Sequence, residues 1–341
     1  MIRIDGSKGE GGGQILRTAL SLSALLTIPV TIEHIRANRP KPGLRPQHLT
    51  ALKALKEICG AEVEGMAVDS RRIVFRPGRV KPGNYFFDVG TAGSITLILQ
   101  ALLLPLVLAP GPSRIKLKGG THVPWSPPYQ YLSEIFLPTL DRLGIHTSVR
   151  LEKWGWYPKG GGELEIDILP TERLNPLVLE KPWEPEEVEV LCASASLPRH
   201  ILERERKTIE ALLQERRVTA HFEIQEVASI GQGNMVFITA RKGPAAAGFS
   251  SLGAKGKPAE QVAEEAAHSF LSFLDSGAAV DEHLGDQILP YLALAPERSE
   301  ILVQGVSSHL RTNLAVVNQF IPTRLSLEAG LGLGKLTTPL P

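Results

Sequence analysis

The stretch Gly9-Glu10-Gly11-Gly12-Gly13-Gln14 lies between a short alternating segment, residues 2–5, and an apolar pattern of helical period. This order predicts a strand, a glycine loop and a helix. The N–H groups of such a loop and the N-terminus of the helix favour an anion. The carboxylate of Glu10 would repel a phosphate unless a hard cation lay between them. A simple tight turn before the helix is the alternative for this loop taken alone.

Composition sets limits on the class of protein. The chain has 341 residues, of which 43% are hydrophobic, so it can form a large core and more than one domain. A net charge of +1 confines any nucleic-acid contact to a local patch. The two cysteines exclude a disulfide framework. We see no signal-peptide pattern, and the apolar residues 95–109 are too few to span a bilayer, so we expect a cytoplasmic protein.

Three segments share a pattern in which a glycine precedes an apolar helix. They begin at Gly12, Ala92 and Leu284, and each continues into a short strand, a polar loop and a second helix. Helix pairs on one face of a sheet would bury these apolar stripes. The sequence therefore predicts an α/β (α+β) fold of three repeated units, each with a helix pair on a sheet. The starts are separated by about 80 and then about 190 residues, which indicates an insertion.

The inserted segment itself reads as a compact α/β module. Strands are predicted at residues 188–193, 218–224 and 235–240, and helices at 199–216 and 258–274. The segment Gly231-Gln232-Gly233-Asn234 is typical of a hairpin turn between the second and third of these strands. We expect a core of residues 1–183 with 277–341, and an inserted domain of residues 184–276.

His309 follows two serines, Ser307 and Ser308, which are good helix N-caps. It is therefore expected in the first turn of a helix, where it could act as a nucleophile toward a phosphate or serve only as a polar cap. Gln100 lies inside an apolar helical pattern, so its amide needs partners. It either ties the helix to nearby backbone or reads a ligand in a pocket.

Residues 34–56 carry six arginines and lysines and no acidic residue. Prolines stiffen the first part of this segment, and fixed guanidinium groups suit bidentate phosphate contacts. A solvated charged loop is the ordinary alternative. The segment lacks the interleaved aromatics that stack single-stranded bases, so we expect contacts with phosphates near a terminus.

Together these segments resemble the RNA 3′-terminal phosphate cyclase family. The resemblance covers nearly the whole chain and is weakest in the insert. It rests on Asp5-Gly6 and residues 9–17, on 35–37 and 41–49, on Ala92-Gly93-Ser94, on 118–121 and 157–162, and on Asp286-Gln287 before the His309 segment. It implies three repeated α/β units with an inserted small thioredoxin-like domain.

The resemblance also implies an activity. The family converts an RNA 3′-phosphate end to a 2′,3′-cyclic phosphodiester with ATP, through a histidyl–AMP and an RNA-adenylate. His309 matches the nucleophile, and Glu10 matches a carboxylate that binds Mg²⁺ or Mn²⁺. The implied partner is an RNA 3′-phosphate end, with no membrane and no obligate protein partner.

Further residues match the family's binding positions. Nucleotide-binding positions are matched by Gln100, His283, Leu284, Gly285, Asp286 and Gln287, with Pro127 and Phe249 flanking the adenine. Substrate phosphate-binding positions are matched by Arg17, Arg36, Arg39 and Gln47. Some family members carry tyrosine where this chain has His283, although a histidine can also stack on adenine.

Two other functions compete with this interpretation. Non-catalytic relatives that act in ribosome assembly keep the fold but lack the histidine, and His309 with Glu10 argues against them. A transferase acting on a small phosphorylated substrate is the second alternative. The basic, proline-stiffened loop and the lack of a P-loop lysine make it the weaker one.

Overall fold

The computed structural model describes residues 1–322, 325–330 and 332–338. Its first unit is a four-stranded sheet with two helices. The elements are β1 (Ile2–Asp5), α1 (Gly13–Leu26), β2 (Val30–Glu33), α2 (Pro46–Cys59), β3 (Glu62–Glu64) and β4 (Ile73–Arg76). The strand order is β1-β2-β4-β3, in which β1 and β2 are parallel and β4 is antiparallel to both of its neighbours.

The second unit repeats this arrangement. Its elements are β5 (Asn84–Asp88), α3 (Ile95–Val107), β6 (Ser113–Gly119), α4 (Tyr129–Tyr131), a π-helix (Leu132–Phe136), α5 (Leu137–Arg142), β7 (Thr147–Lys153) and β8 (Gly162–Ile168). The order β5-β6-β8-β7 has the same parallel and antiparallel pairs. Helix α3 packs against α1, α2 and β6. A helix enclosed in this way can be apolar on nearly all sides, which explains the long apolar stretch in the sequence.

The chain then enters the third unit at β9 (Val178–Leu179) and leaves it for a separate sheet. That sheet and its helices are β10 (Glu187–Ala195), α6 (His200–Glu215), β11 (His221–Glu226), β12 (Gly233–Lys242), β13 (Ala245–Leu252) and α7 (Ala259–Ser276). The order is β11-β10-β12-β13, with β10 and β11 parallel and the other pairs antiparallel. A βαβ crossover followed by a hairpin and a helix is the thioredoxin-like arrangement.

The predicted hairpin turn at Gly231-Gln232-Gly233-Asn234 is wrong. Strands β11 and β12 lie on opposite sides of β10 and do not pair with each other. The crossover through α6 makes β11 parallel to β10, so the other edge of β10 is left for β12. The hairpin joins β12 to β13, where Lys242 pairs with Ala245 and Gly243 has a φ of +51°.

The third unit closes after the insertion. Its remaining elements are α8 (Glu282–Gln287), α9 (Leu289–Leu294), β14 (Glu300–Gln304), α10 (Ser308–Phe320), β15 (Ser326–Gly330) and β16 (Leu333–Thr337). The order β9-β14-β16-β15 again places a parallel pair beside two antiparallel pairs. The three repeated units are therefore present, and the insertion lies inside the third unit, between its first strand and its first helix.

Two apolar clusters underlie these sheets. One runs through the three repeated units, and the other fills the space between the inserted sheet and helices α6 and α7. The separate sheet and cluster support the division into residues 1–183 with 277–341 and 184–276, which stays a proposal. Within the described residues, no helix is long and apolar enough to cross a membrane.

Candidate active site

The glycine loop of the first unit meets the N-terminus of α10 in the third. His309 is the second residue of α10, and the N-cap Ser307 accepts a hydrogen bond of 3.1 Å from the Leu310 N–H. The Glu10 N–H donates to Thr312 Oγ1 at 3.2 Å, which joins the loop to the helix. Gly9 has a φ of +56° and lies against Thr312 with no room for a Cβ, so this contact requires glycine.

The imidazole of His309 is held through one nitrogen. Its Nδ1 lies 2.7 Å from Gln14 Oε1 and 2.5 Å from Glu10 Oε2. Both oxygens can only accept, so Nδ1 carries the proton and Nε2 keeps its lone pair. Within the described ranges, Nε2 has no hydrogen-bond partner. Gln14 Nε2 in turn donates to Asp286, so an amide links the carboxylate of α8 to the imidazole of α10.

Burial and two nearby arginines favour a neutral imidazole. Burial lowers the pKa of His309; the carboxylate of Asp286 opposes that shift, while Arg39 and Arg17 reinforce it. Burial also raises the pKa of Asp286, although its hydrogen bond from Gln14 counteracts the change. A histidine with a lowered pKa is uncharged at pH 7 and can act as a nucleophile.

Glu10 is the carboxylate available to a divalent cation. Its side chain is 12% exposed, forms an ion pair with Arg39 and lies 2.5 Å from His309 Nδ1. Across the described part of the chain, no three His, Cys, Asp or Glu side chains gather as a metal site. Mg²⁺ commonly takes one carboxylate and completes its shell with water and substrate phosphates. The Glu10 carboxylate would fit a cation held in that way.

Arg17 is a partly buried cation beside this loop. Burial lowers its pKa to about 10, so it stays charged at neutral pH. It has no hydrogen bond or ion pair to any residue that the structure describes. His48 lies close by, and burial together with Arg17, Arg36 and Arg45 lowers its pKa to about 3. Arg17 thus has no direct partner among the described residues, although Asp286 is near enough to raise its pKa, and its guanidinium is available to an anion.

Two other predicted phosphate-binding residues have partners in the protein. Arg36 Nη1 donates to the carbonyls of Lys41 and Gly43, at 2.6 and 3.1 Å, and so fixes the turn of the basic loop. Gln47 Oε1 accepts from the Ser94 N–H at 2.8 Å, at the N-cap of α3. Gln47 therefore links the basic loop to the glycine junction of the second unit. Their contact with phosphates stays a prediction.

The predicted nucleotide-binding residues of α8 adjoin the second unit. Gln100 Nε2 donates to Gln287 Oε1 at 2.5 Å, so Gln100 ties α3 to α8 through a side chain rather than through backbone. Asp281 caps α8 by accepting from the His283 and Leu284 N–H groups, at 3.0 and 2.9 Å.

The other members of this set differ in exposure. The side chain of His283 is 69% exposed, with its ring centroid 6.4 Å from that of Tyr131. Leu284 is buried, and Gly285 packs against Val303. The exposed imidazole of His283 is accessible to a nucleobase. Leu284 and Gly285 instead pack within the protein and offer only their backbone groups.

Of the two residues predicted to flank adenine, only Pro127 is linked to a helix N-terminus. Its carbonyl accepts from Thr96 Oγ1 at 2.8 Å, in the first turn of α3. Phe249 instead points into the insert, where it packs against Phe270 and Phe273 with ring centroids 5.7 and 5.5 Å away. Successive side chains of a strand face opposite sides of the sheet. Phe249 is on the side of β13 that faces the apolar core of the insert. We remove it from the nucleotide site.

Sequence reasoning gave no role to Gln14 or Thr312, which together connect the loop, α8 and α10. Gln14 stands next to the glycine run, but its partners Asp286 and His309 are 272 and 295 residues away. Thr312 lies three residues after His309, a spacing that places both on one side of a helix. That spacing is the signal that could have identified Thr312.

Comparisons with known proteins show the family of this chain. The family model described as RNA 3′-terminal phosphate cyclase matches residues 8–327. A protein of that name from Methanopyrus kandleri is 44% identical, covering 97% of this chain and 96% of its own. Similar proteins from Gloeothece citriformis and Pyrococcus abyssi are 44% and 43% identical, with coverage of 96% and 97% of this chain and 96% of each relative. On these matches, the chain belongs to the RNA 3′-terminal phosphate cyclase family.

Proposed function

We propose that this protein uses ATP to convert an RNA 3′-phosphate end to a 2′,3′-cyclic phosphodiester, by way of His309. The observation that carries the proposal is the state of the imidazole. Gln14 and Glu10 accept from Nδ1, and Nε2 keeps a lone pair without a partner among the described residues. An imidazole fixed in this tautomer and uncharged at pH 7 is suited to attack phosphorus.

In the first step, His309 Nε2 attacks the α-phosphorus of ATP. The N–P bond forms, the bond to the bridging oxygen breaks, and pyrophosphate leaves. The product is a histidyl–AMP whose imidazolium proton is on Nδ1, between Gln14 and Glu10. These acceptors stabilise the positive charge that develops on the ring during attack.

In the second step, an oxygen of the RNA 3′-phosphate attacks the same phosphorus. The N–P bond breaks, His309 is regenerated as a neutral imidazole, and AMP is attached to the RNA end. In the third step, the neighbouring 2′-hydroxyl attacks the RNA phosphorus and expels AMP, while its proton passes to solvent. Adenylylation supplies the leaving group that a phosphomonoester lacks.

The cations beside His309 serve these steps by holding charge. Arg17 is charged and has no partner in the described residues, so it is a ready contact for a phosphate. Arg39 is paired with Glu10, and a phosphate arriving together with a divalent cation can exchange these partners. A divalent ion bound to Glu10, Mg²⁺ or Mn²⁺, would neutralise the triphosphate and polarise it.

Labelling with ATP carrying a radioactive α-phosphate tests the proposal. We expect an acid-labile protein label that grows with a divalent ion and passes to RNA on addition of a 3′-phosphorylated oligonucleotide. His309→Ala should abolish the label with the fold retained. His200→Ala, at the start of α6 in the insert, is the matched control and should label normally. A His309→Ala protein that labels at the wild-type level would disprove the assignment.

A further inference from the structure

Two aromatic side chains stand exposed on neighbouring loops of the second unit. Trp125 is 97% exposed and Tyr157 is 63% exposed. Their loops are bonded to each other, since the Thr121 and His122 N–H groups both donate to the Gly155 carbonyl, at 2.9 and 3.0 Å. His122 also pairs with Trp156 in a parallel bridge. The two exposed rings therefore stand on loops that are joined through adjacent, parallel stretches of backbone.

A buried layer beneath these loops holds them in place. The ring of His122 stacks on Trp154 with centroids 4.2 Å apart and lies 4.7 Å from Trp156. Burial lowers the pKa of His122 to about 3, so it is neutral, and its ring nitrogens bond to Thr121 and Gln130 at 2.7 Å each. Exposed rings on such a fixed base lose little conformational entropy when a ligand binds.

One unpaired lysine stands close to Tyr157 in the chain. Lys159 lies two residues after Tyr157, its stem packs against Gly231, and it forms no ion pair within the ranges that the structure describes. Residues 119–133, 154–162 and 227–231 contain no aspartate or glutamate. Exposed aromatic rings with an unpaired lysine nearby are complementary to single-stranded nucleic acid. Its bases stack on aromatic rings, and its phosphates bind cations.

This surface adjoins the catalytic end of the molecule. Gly160 lies against Ala92, so closely that a Cβ on Gly160 would be 2.9 Å from Ala92 Cα. Gly93, which follows Ala92 in the chain, packs against Gln47. Gln47 is the second residue of α2. Through Ala92 and Gly93, the loop that carries Tyr157 is thus connected to the start of α2.

We propose that Trp125 and Tyr157 stack on bases of the RNA that lie 5′ of its 3′-terminal nucleotide, with Lys159 beside a phosphate. The inference rests on the proposed function and extends it, because it adds a recognition surface outside the site of chemistry. The two rings would contact the faces of the bases and not their hydrogen-bonding edges. The protein should therefore accept single-stranded RNA of any sequence.

The test compares two 3′-phosphorylated RNA decamers, one normal and one with abasic residues at every position except the 3′-terminal nucleotide. We expect Trp125→Ala and Tyr157→Ala each to raise the KM for the normal decamer by about fivefold or more, with kcat unchanged, since a base–aromatic stack is worth that much. With the abasic decamer, wild type and variants should share one raised KM. Labelling of His309 by ATP alone should be unaffected.

Two controls separate stacking from other effects. Phe86→Ala removes a different exposed aromatic, which lines a shallow cleft with Pro46 and Val68, and it should leave both KM values unchanged. Tyr157→Phe keeps the ring and should behave as wild type. Direct binding should quench tryptophan fluorescence in wild type but much less in Trp125→Phe.

Three results would overturn the inference. The first is an unchanged KM for the normal decamer in Trp125→Ala and Tyr157→Ala. The second is a rise in KM that these variants show equally with the abasic decamer, and the third is an equal rise in KM in Phe86→Ala. Failure of the proposed function is a different outcome. In that case the wild-type protein neither labels with ATP nor cyclises either decamer.

Discussion

Gln14 and His309 are 295 residues apart in the chain and share a hydrogen bond of 2.7 Å. The same amide donates to Asp286, so one side chain of the first unit connects two helices of the third. An amide suits this place because it offers an acceptor to Nδ1–H and a donor to a carboxylate at once. Gln14 thereby fixes the ring tautomer and directs Nε2 outward.

Replacing Gln14 by methionine tests this relationship. Gln14→Met keeps the length of the side chain but neither accepts from His309 nor donates to Asp286. We expect the rate of adenylylation to fall by about 10- to 100-fold, as for loss of an orienting partner, with the fold unchanged. Single-turnover labelling with ATP measures the rate. A Gln14→Met enzyme that labels at the wild-type rate would show that Glu10 alone orients the imidazole.

The rate of adenylylation should depend on pH through His309. Only the neutral imidazole attacks, so the rate should rise with pH through the pKa of His309, which burial and Arg39 hold below its usual value, and then level off. Arg39→Gln removes a repelling cation, so its acid limb should shift to higher pH. Arg311→Gln, an exposed change on the same helix, is the control and should leave the limb in place.

A pH series of labelling rates at saturating ATP measures the acid limb of each variant. An acid limb of Arg39→Gln that coincides with that of Arg311→Gln would contradict the electrostatic argument. A change in amplitude without a change in position would assign Arg39 to phosphate binding alone.

Glu10→Gln should weaken the response to divalent ions. The neutral amide keeps the shape of the side chain but gives up most of the attraction for a cation. We expect labelling to require a higher Mg²⁺ or Mn²⁺ concentration, at least about tenfold, while a high concentration restores part of the rate. Glu282→Gln, an exposed glutamate in the first turn of α8, is the matched control. Identical metal titrations of Glu10→Gln and wild type would rule out Glu10 as the ligand.

Glu205 in the insert should make stability depend on pH. It is fully buried, Asn234 donates to one of its oxygens, and burial raises its pKa from 4.5 to about 8. The native state therefore keeps a proton that the unfolded chain releases near pH 4.5. Stability should fall by about 1.4 kcal/mol per pH unit as the pH rises between these two values.

Glu205→Gln should flatten this dependence and stabilise the protein at pH 8 relative to wild type. Urea unfolding at several pH values between 5 and 9 measures the difference. Glu203→Gln, on the exposed side of the same helix, should follow the wild-type curve. Parallel curves for Glu205→Gln and wild type would mean that the carboxyl is ionised in the folded protein.

Local signals in the sequence were enough for the repeated elements. Glycine before an apolar helix marked each unit, and Ser307 as N-cap placed His309 in the first turn of α10, because caps and periodicity act within a few residues. The extra spacing between units also indicated the insertion, which was predicted at residues 184–276, but it did not show that the insertion interrupts the third unit. Strand β9 has only two residues and is recognisable only through its pairing with β14, more than a hundred residues later.

Tertiary structure alone decided which residues share a site. Gln14 acquired its partners, Phe249 turned into the core of the insert, and the loops of Trp125 and Tyr157 were joined because strands and loops pair over long distances. Such pairing is set by which faces must be buried and which backbone edges remain to be bonded, and neither is written into a short window of sequence. The sequence by itself determined the repeated units and, through the family resemblance, predicted His309 as the nucleophile. The packing of three units around an insertion determined which side chains meet at the candidate site.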